Sequence, residues 1–515
     1  LLRRRLNKIN HIKKGHHEVF TPEHNETFYQ QSIRQLKNSF SYPKNTDFNC
    51  RTLFIHALNR ETTLFYIDGM VDYSEIEFHI IQPLQQYSGS YQFELDLSTT
   101  LAEKVLSVKH ITKTGQYSTI VNSLLNGEAV LFVENMPVAL LLKTTAFEIR
   151  SVEQPQTEKV IKGPMDGFTE SASTNRSLIR KQLRYEDLIT ETITVGKKAI
   201  SSVSLLYIKS IANNEIIENV RDRINQIDVD MVQGVAILEQ HIEERPYSIL
   251  PSILYTERPD RAAAFLNEGH VVLIMDNSPA CLIVPITFWS FFHTAEDTYH
   301  RWAFGNFIRI VRLLSFYIAL FIPSLYIAIS NYHIEMFPTD LLLAIAATRE
   351  RVPFPVIVEV IMMEISFELI REAGIRIPTP IGPTIGIVGA LILGQAAVEA
   401  GIISPILVII VAITGLASFA IPDINLNFTI RLTRFICLFF AATLGFVGLS
   451  IFIIFAIAYA SKSNSFGVPF FAPMAPHSSS SKDIVVRPPV WKQWLRPFYV
   501  KPEQQQRHDT KAKGG

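Results

Sequence analysis

Residues 353–422 read PFPVIVEVIMMEISFELIREAGIRIPTPIGPTIGIVGALILGQAAVEAGIISPILVIIVAITGLASFAIP. An amphipathic segment comes first and ends in Arg371, Glu372 and Arg376. A turn punctuated by Pro and Gly, Ile377–Pro383, follows. Two apolar runs, Ile381–Val398 and Ile402–Ile421, are then separated only by Glu399, Ala400 and Gly401. Each approaches the roughly 17–25 residues that cross a bilayer's hydrocarbon core. Two such runs on so short a link predict a tight membrane hairpin. The charged segment before them has to face water, protein or a lumen. The fold class expected is therefore multi-domain. A soluble α/β N-terminal region of two subdomains precedes an all-α polytopic membrane domain with four to five spans and one amphipathic, interfacial or pore-lining helix.

Outward from this stretch, Leu313–Ser330, interrupted by Pro323, reads as a first span with Arg309 and Arg312 at its start. Leu341–Thr348 is apolar but too short to cross. Phe435–Ala460 reads as the last span, and its Gly445 and Gly448 are small residues that let helices approach closely. Four spans put the soluble region and the basic tail on one side, in line with the positive-inside tendency. They also place Arg431 and Arg434 outside. If Phe354–Arg371 crosses as well, there are five spans and the tail lies opposite.

Upstream, the pattern is mixed α/β. Thr63–Ile67 is strand-like and closes on Asp68 and Gly69, Tyr117–Leu125 is helical, and Ala129–Val133 and Val138–Leu142 form strand–turn–strand around Asn135. A second unit carries strand Val203–Ile208, a helix over Glu215–Ile227 and a helix at Ala262–Leu266 ended by Gly269. Strands Val271–Met275 and Cys281–Val284 close it. The two endings, NGEAVLFVENMPVALLL and NEGHVVLIMDNSPACLIV, are alike and suggest duplicated subdomains. The expected divisions are a basic disordered arm 1–40, subdomains 41–150 and 151–300, membrane domain 301–460, and a Pro-rich basic tail 461–515. The tail is expected to be disordered except for Ser465–Pro476, a patch able to dock on the body.

The 48 Lys+Arg balance 48 Asp+Glu, which argues against a nucleic-acid binder. The charge is segregated: residues 1–40 carry eight basic and three acidic side chains, and the tail from Ser461 nine and three. Between Arg301 and Ala460 all nine cations are arginine, whose delocalised charge tolerates partly desolvated pairing better than lysine's. Three scattered cysteines give neither a disulfide framework nor a metal pattern. The basic N-terminal sequence lacks the apolar core of a signal peptide, so the soluble region is expected to stay unexported, in a reducing compartment. No phosphate loop, zinc-protease motif, hydrolase elbow or kinase signature is present. Neither an enzyme activity nor a cofactor is expected.

Glu364, Glu368, Arg371 and Glu372 share one face of the amphipathic segment at three- and four-residue spacings. They suit either an interfacial helix with internal salt bridges or a vestibule of an oligomer, where carboxylate rings favour cations. The Gly-rich run after it supplies the candidate pore lining. Pro383 lies in the break, Ile387, Val388 and Leu391 form an apolar constriction, and Gln395 and Glu399 form a polar mouth. Close helix packing explains the same glycines equally well. TERPD at 256–260 and TNRSLIRKQ at 174–182 read as capping and domain-packing signals.

Several of these stretches together resemble a known family. FYIDGMVD, GPMDGFTES, TNRSLIRK, TERPD, EDTYHRW, VPFP, REAGIRIPTPIGPTIGIVGALILGQAAVEAGIISP and SFGVPF, between Asp47 and Pro476, resemble the A subunits of GerA-type spore germinant receptors. Met70, where the pattern has Leu, and Asn427–Phe428 are small departures. The resemblance implies a multi-pass protein of the spore inner membrane with its soluble region facing the spore core. It implies a transporter-like B subunit and a lipoprotein C subunit as partners, membrane lipid as surroundings, and cations as permeants of a germinant-gated homo-oligomer. A transporter-like direct germinant receptor and a structural scaffold are the alternative readings.

Overall fold

The computed structural model describes residues 27–88, 97–146, 154–376, 394–478 and 483–507. Its N-terminal α/β part holds two five-stranded antiparallel sheets. In the first, β1 (Phe48–Ile55), β2 (Arg60–Ile67), β3 (Ile111–Thr114), β4 (Ala129–Val133) and β5 (Ala139–Leu142) lie in the order β1-β2-β4-β5-β3. In the second, β6 (Leu188–Val195), β7 (Ser201–Ile208), β8 (Leu254–Thr256), β9 (Val271–Met275) and β10 (Cys281–Val284) repeat it as β6-β7-β9-β10-β8. The likeness of the two sequence endings is thus a likeness of whole units.

The local chemistry repeats too. The β4–β5 and β9–β10 turns each pivot on an Asn in the left-handed region, Asn135 (φ 59°) and Asn277 (φ 60°). Asn tolerates that conformation better than most side chains. Helices α2 (Tyr117–Leu125) and α6 (Pro259–Glu268) precede β4 and β9, and each chain then turns on a left-handed glycine, Gly127 or Gly269. A Cβ on Gly127 would stand 2.5 Å from the Met70 carbonyl oxygen. The central strands β4, β5, β9 and β10 are buried at every position, as their unbroken apolar runs require.

The described residues of the arm are structured. Helix α1 (Phe28–Ser39), capped by Thr27, packs Leu36 against the first sheet, and Tyr29 shares a 2.8 Å hydrogen bond with Thr63. Helices α3 (Ala172–Gln182), α4 (Asn214–Asn225) and α5 (Val235–Ile242) pack against the second sheet.

The helical part comprises α7 (Trp302–Tyr332), α8 (Thr339–Arg349), α9 (Val356–Arg376), a short helix at 394–399, α10 (Pro405–Phe419) and α11 (Ile424–Ser461). Among the described residues, α7 and α11 are long and apolar enough to cross a membrane. Two expectations change. Pro323 does not interrupt the first apolar helix; α7 runs through it, buried along its face against α11. The last stretch is not one straight span. At Gly445 (φ 59°, ψ −133°) α11 reverses, and its two arms lie side by side. The Thr429 hydroxyl donates to the Ile249 carbonyl at 2.6 Å, and the Ile249 amide donates to the Tyr459 hydroxyl at 3.2 Å. Residues thirty apart in sequence therefore meet the same loop. Phe440 and Phe452 pack across the hairpin with ring centroids 6.2 Å apart.

The hairpin returns the chain to the α/β part, where the tail packs. The Ser465–Pro476 patch docks, with Phe466 and Phe470 buried. The later tail, expected to be disordered, packs as well. Val500 is fully buried in the second unit's core, and the Arg496 guanidinium donates to the Asn267 carbonyl at 2.8 Å. Apolar anchors between the polar residues supply enough buried surface to order it.

Candidate functional site

The family-like motifs of the α/β part are joints. Asp47, ahead of β1, accepts from Arg180 Nε (2.9 Å) and pairs with Arg176 (3.0 Å) on α3, so TNRSLIRK clamps the two units together. In TERPD, Arg258 binds Asp260 through both Nε (3.0 Å) and Nη2 (2.8 Å) and donates to the Pro164 carbonyl. In EDTYHRW, Asp297 receives Arg309 (3.0 Å) and Arg312 (2.8 Å) from α7, which ties the start of that helix to the α/β part. Burial works against ionisation here, yet the guanidinium groups of Arg312 and Arg309 hold the Asp297 carboxyl below its usual range. Nearby, burial and the Arg309 charge pull His293 down to about 4, and its Nε2 lies 2.6 Å from the Ile484 carbonyl of the tail.

A concentration of charge among apolar helices lies between α9 and α11. Glu364 pairs with Arg434 at 2.8 Å, and both side chains are 1% exposed. Glu368 accepts from Arg434 Nη2 (3.1 Å) and Arg431 Nε (3.0 Å), with Arg371 at 3.5 Å. Arg371 also donates to the Ser418 hydroxyl at 2.7 Å and stacks on Phe419, 4.7 Å from its ring centroid. Three guanidinium groups thus converge on two carboxylates. Within the described residues, Glu364 Oε1, Arg434 Nε and Arg371 Nε find no hydrogen-bond partner. Such a network is under-satisfied for its depth, which raises the energy of the arrangement that holds it.

The face read from the sequence is therefore real for Glu364, Glu368 and Arg371, which the structure brings together, while Glu372 lies one turn further on and is exposed. Their partners were not anticipated. Arg431 and Arg434, assigned outside in the four-span topology, are the counter-charges. The readable signal was two arginines three residues apart in an apolar, lysine-free region. Of the candidate pore residues, Pro383, Ile387, Val388 and Leu391 lie outside the described residues. Gln395 and Glu399 are described: the Gln395 amide donates to Glu399 at 2.9 Å, and both are exposed. Neither is among the side chains paired in the charged cluster; Glu359, near the start of α9, accepts from the Ser404 amide at 3.1 Å. Among the described residues no cluster of His, Cys, Asp and Glu could hold a metal ion.

Residues 34–499 match the family model described as Bacillus/Clostridium GerA spore germination protein. Spore germination protein KA of Bacillus subtilis (strain 168) is 40% identical over 441 residues, covering 85% of this chain and 81% of that protein. Spore germination protein GerLA of Bacillus cereus is 34% identical over 444 residues, covering 86% and 89%. The crystal structure of the N-terminal domain of the A subunit of the Bacillus megaterium spore germinant receptor GerK3 aligns over 52% of this chain and 99% of that one. Its TM-score is 0.41 and its sequence identity 24%.

Proposed function

The chain belongs to the GerA spore germination protein family, and from that premise we propose that it is the membrane-embedded A subunit of a spore germinant receptor and forms an oligomeric, germinant-gated cation channel. It works with a transporter-like B subunit and a lipoprotein C subunit in the inner spore membrane. The soluble units face the core, and both arms of the α11 hairpin enter the bilayer from that side, so the tail returns to it.

The charged cluster between α9 and α11 supports this reading best. Ionisable groups among membrane helices are expensive and mark transport paths or switches. Here the carboxylates are neutralised inside one chain, which suits a closed state. Opening requires the pairs to be exchanged, and Glu364, Glu368, Arg371 and Glu372 then line the vestibule. The constriction is assigned to Ile387, Val388 and Leu391, after the break at Pro383, with Gln395 and Glu399 at a mouth. A partner that has bound germinant opens the channel only if it contacts the two states differently.

The test is cation conductance of the purified chain in liposomes, with and without Val388→Ala. A leak that increases with the smaller side chain supports a pore built from this chain. Verified oligomers that conduct in neither form would refute it and favour a scaffold or partner-dependent receptor.

A further inference from the structure

On α9, Glu364, Glu368 and Glu372 follow one another at intervals of four residues. That is about 6 Å per rung at 1.5 Å per residue. On the facing arm of α11, Arg434 and Arg431 are three residues apart. Arg434 meets Glu364 and Glu368, and Arg431 meets Glu368, so numbers rise on one helix as they fall on the other. The helices are antiparallel: Arg434 and Arg431 sit on the rungs of Glu364 and Glu368, and Glu372 is the next rung along α9.

We propose that α9 has two registers on α11, one turn apart, and that the structure shows the first. Moving α9 by about one turn, 5.4 Å, towards its own N-terminus hands Arg434 from Glu364 to Glu368 and Arg431 from Glu368 to Glu372. Each guanidinium keeps a carboxylate throughout. A slide that preserves ion pairs avoids the penalty of leaving a buried charge alone, which separating the helices would incur.

The packing on the other side of α9 provides the second seat. Phe367 fills the notch at Gly415 of α10, where a Cβ would overlap its ring. One turn towards the start of α10 stands Ala412, again small. A cavity of about 70 Å³ lies there, lined by Phe367, Ser366, Val408, Val411 and Ala412. The parallel run of α9 and α10, with Glu359 by Ser404 and Arg371 by Ser418, puts this cavity in the direction that the charge exchange requires. The same displacement therefore re-pairs one face and fills a void on the other.

This inference deepens the channel reading, for which the second register is the open one, but it is tested without conductance. Nitroxide labels at Leu369 and Leu444, both exposed, report the axial distance in the full chain in lipid nanodiscs with its native cysteines replaced. Glu364→Gln removes a rung used only in the first register. Gly415→Ala expels Phe367 from its first seat without touching a charge. Each is expected to add a population about 5 Å shorter, and adding Glu372→Gln to either should remove it. If Glu364→Gln fails to fold, Gly415→Ala decides alone. Folded variants that keep the original single distance overturn the proposal. A shortened distance with no accompanying cation leak leaves the two registers standing and counts against the channel reading alone.

Discussion

Arg180, near the end of α3, holds Asp47 of the other soluble unit at 2.9 Å, with both side chains at most 3% exposed. The Thr190 hydroxyl donates to the same carboxylate at 2.7 Å, and Arg180 reaches the Asn45 side-chain oxygen at 3.3 Å. Asp47 is thus the buried anion of the joint between the two units, beside the Thr46 amide, which donates to the Thr190 carbonyl at 2.8 Å.

Removing that anion leaves Arg180 buried without its counter-charge. Asp47→Ala should destabilise the soluble part by about 3–5 kcal/mol, the usual consequence of breaking a buried pair from one side. Adding Arg180→Met should recover a large part of the loss, since the more deeply buried of the two arginines on Asp47 is then no longer a stranded charge. Denaturant titration of the full chain in detergent, followed by tryptophan fluorescence, measures both. A double variant no more stable than Asp47→Ala would show that the pair is not the joint.

The reversal of α11 depends on a different contact. The Tyr332 hydroxyl lies 2.7 Å from the Ala442 carbonyl oxygen and 2.8 Å from that of Thr443, acceptors that the break at Gly445 leaves without helical donors. Its ring covers Gly445, where a Cβ would come within 2.9 Å. Gly445→Ala should cost about 1–2 kcal/mol for the left-handed backbone alone, and more for the contact with the ring. Tyr332→Phe should cost about 1 kcal/mol for the lost hydrogen bond. Thermal unfolding in detergent ranks them; an unchanged midpoint for Gly445→Ala would contradict the hairpin.

Acid should weaken the soluble part through two buried histidines. Burial pulls His270 down to about 4 from 6.5, its Nδ1 lying 2.6 Å from the Pro285 carbonyl, and burial with Arg309 pulls His293 to about 4. Both stay neutral when folded, whereas the unfolded chain takes up protons at their ordinary values. Stability is therefore full above about pH 6.5 and falls as pH drops towards 4, by up to about 3 kcal/mol per group. Denaturation midpoints at pH 7 and pH 5 measure the slope. His270→Asn, which keeps a donor for Pro285, should make it shallower; an unaltered slope would remove His270 from the account.

What the sequence alone determined is what neighbouring residues decide. Unbroken runs such as Ala129–Val133 and Val271–Met275 could only be buried strands, and Gly269 had to end its helix because the backbone turns left-handed there. The shared face of Glu364, Glu368 and Arg371 follows from helical spacing in the same way. The tertiary structure decided which surfaces meet. Arg431 and Arg434 look like the flank of a span until the reversal of α11 and the approach of α9 set them against those glutamates. The tail reads as a solvated polar segment, yet Val500 and Tyr499 find an apolar surface made of strands more than two hundred residues earlier. Backbone preference and periodicity act within a few residues and are written in the chain. The neutralisation of a buried charge and the burial of an isolated apolar anchor depend on partners that only the folded chain brings within reach.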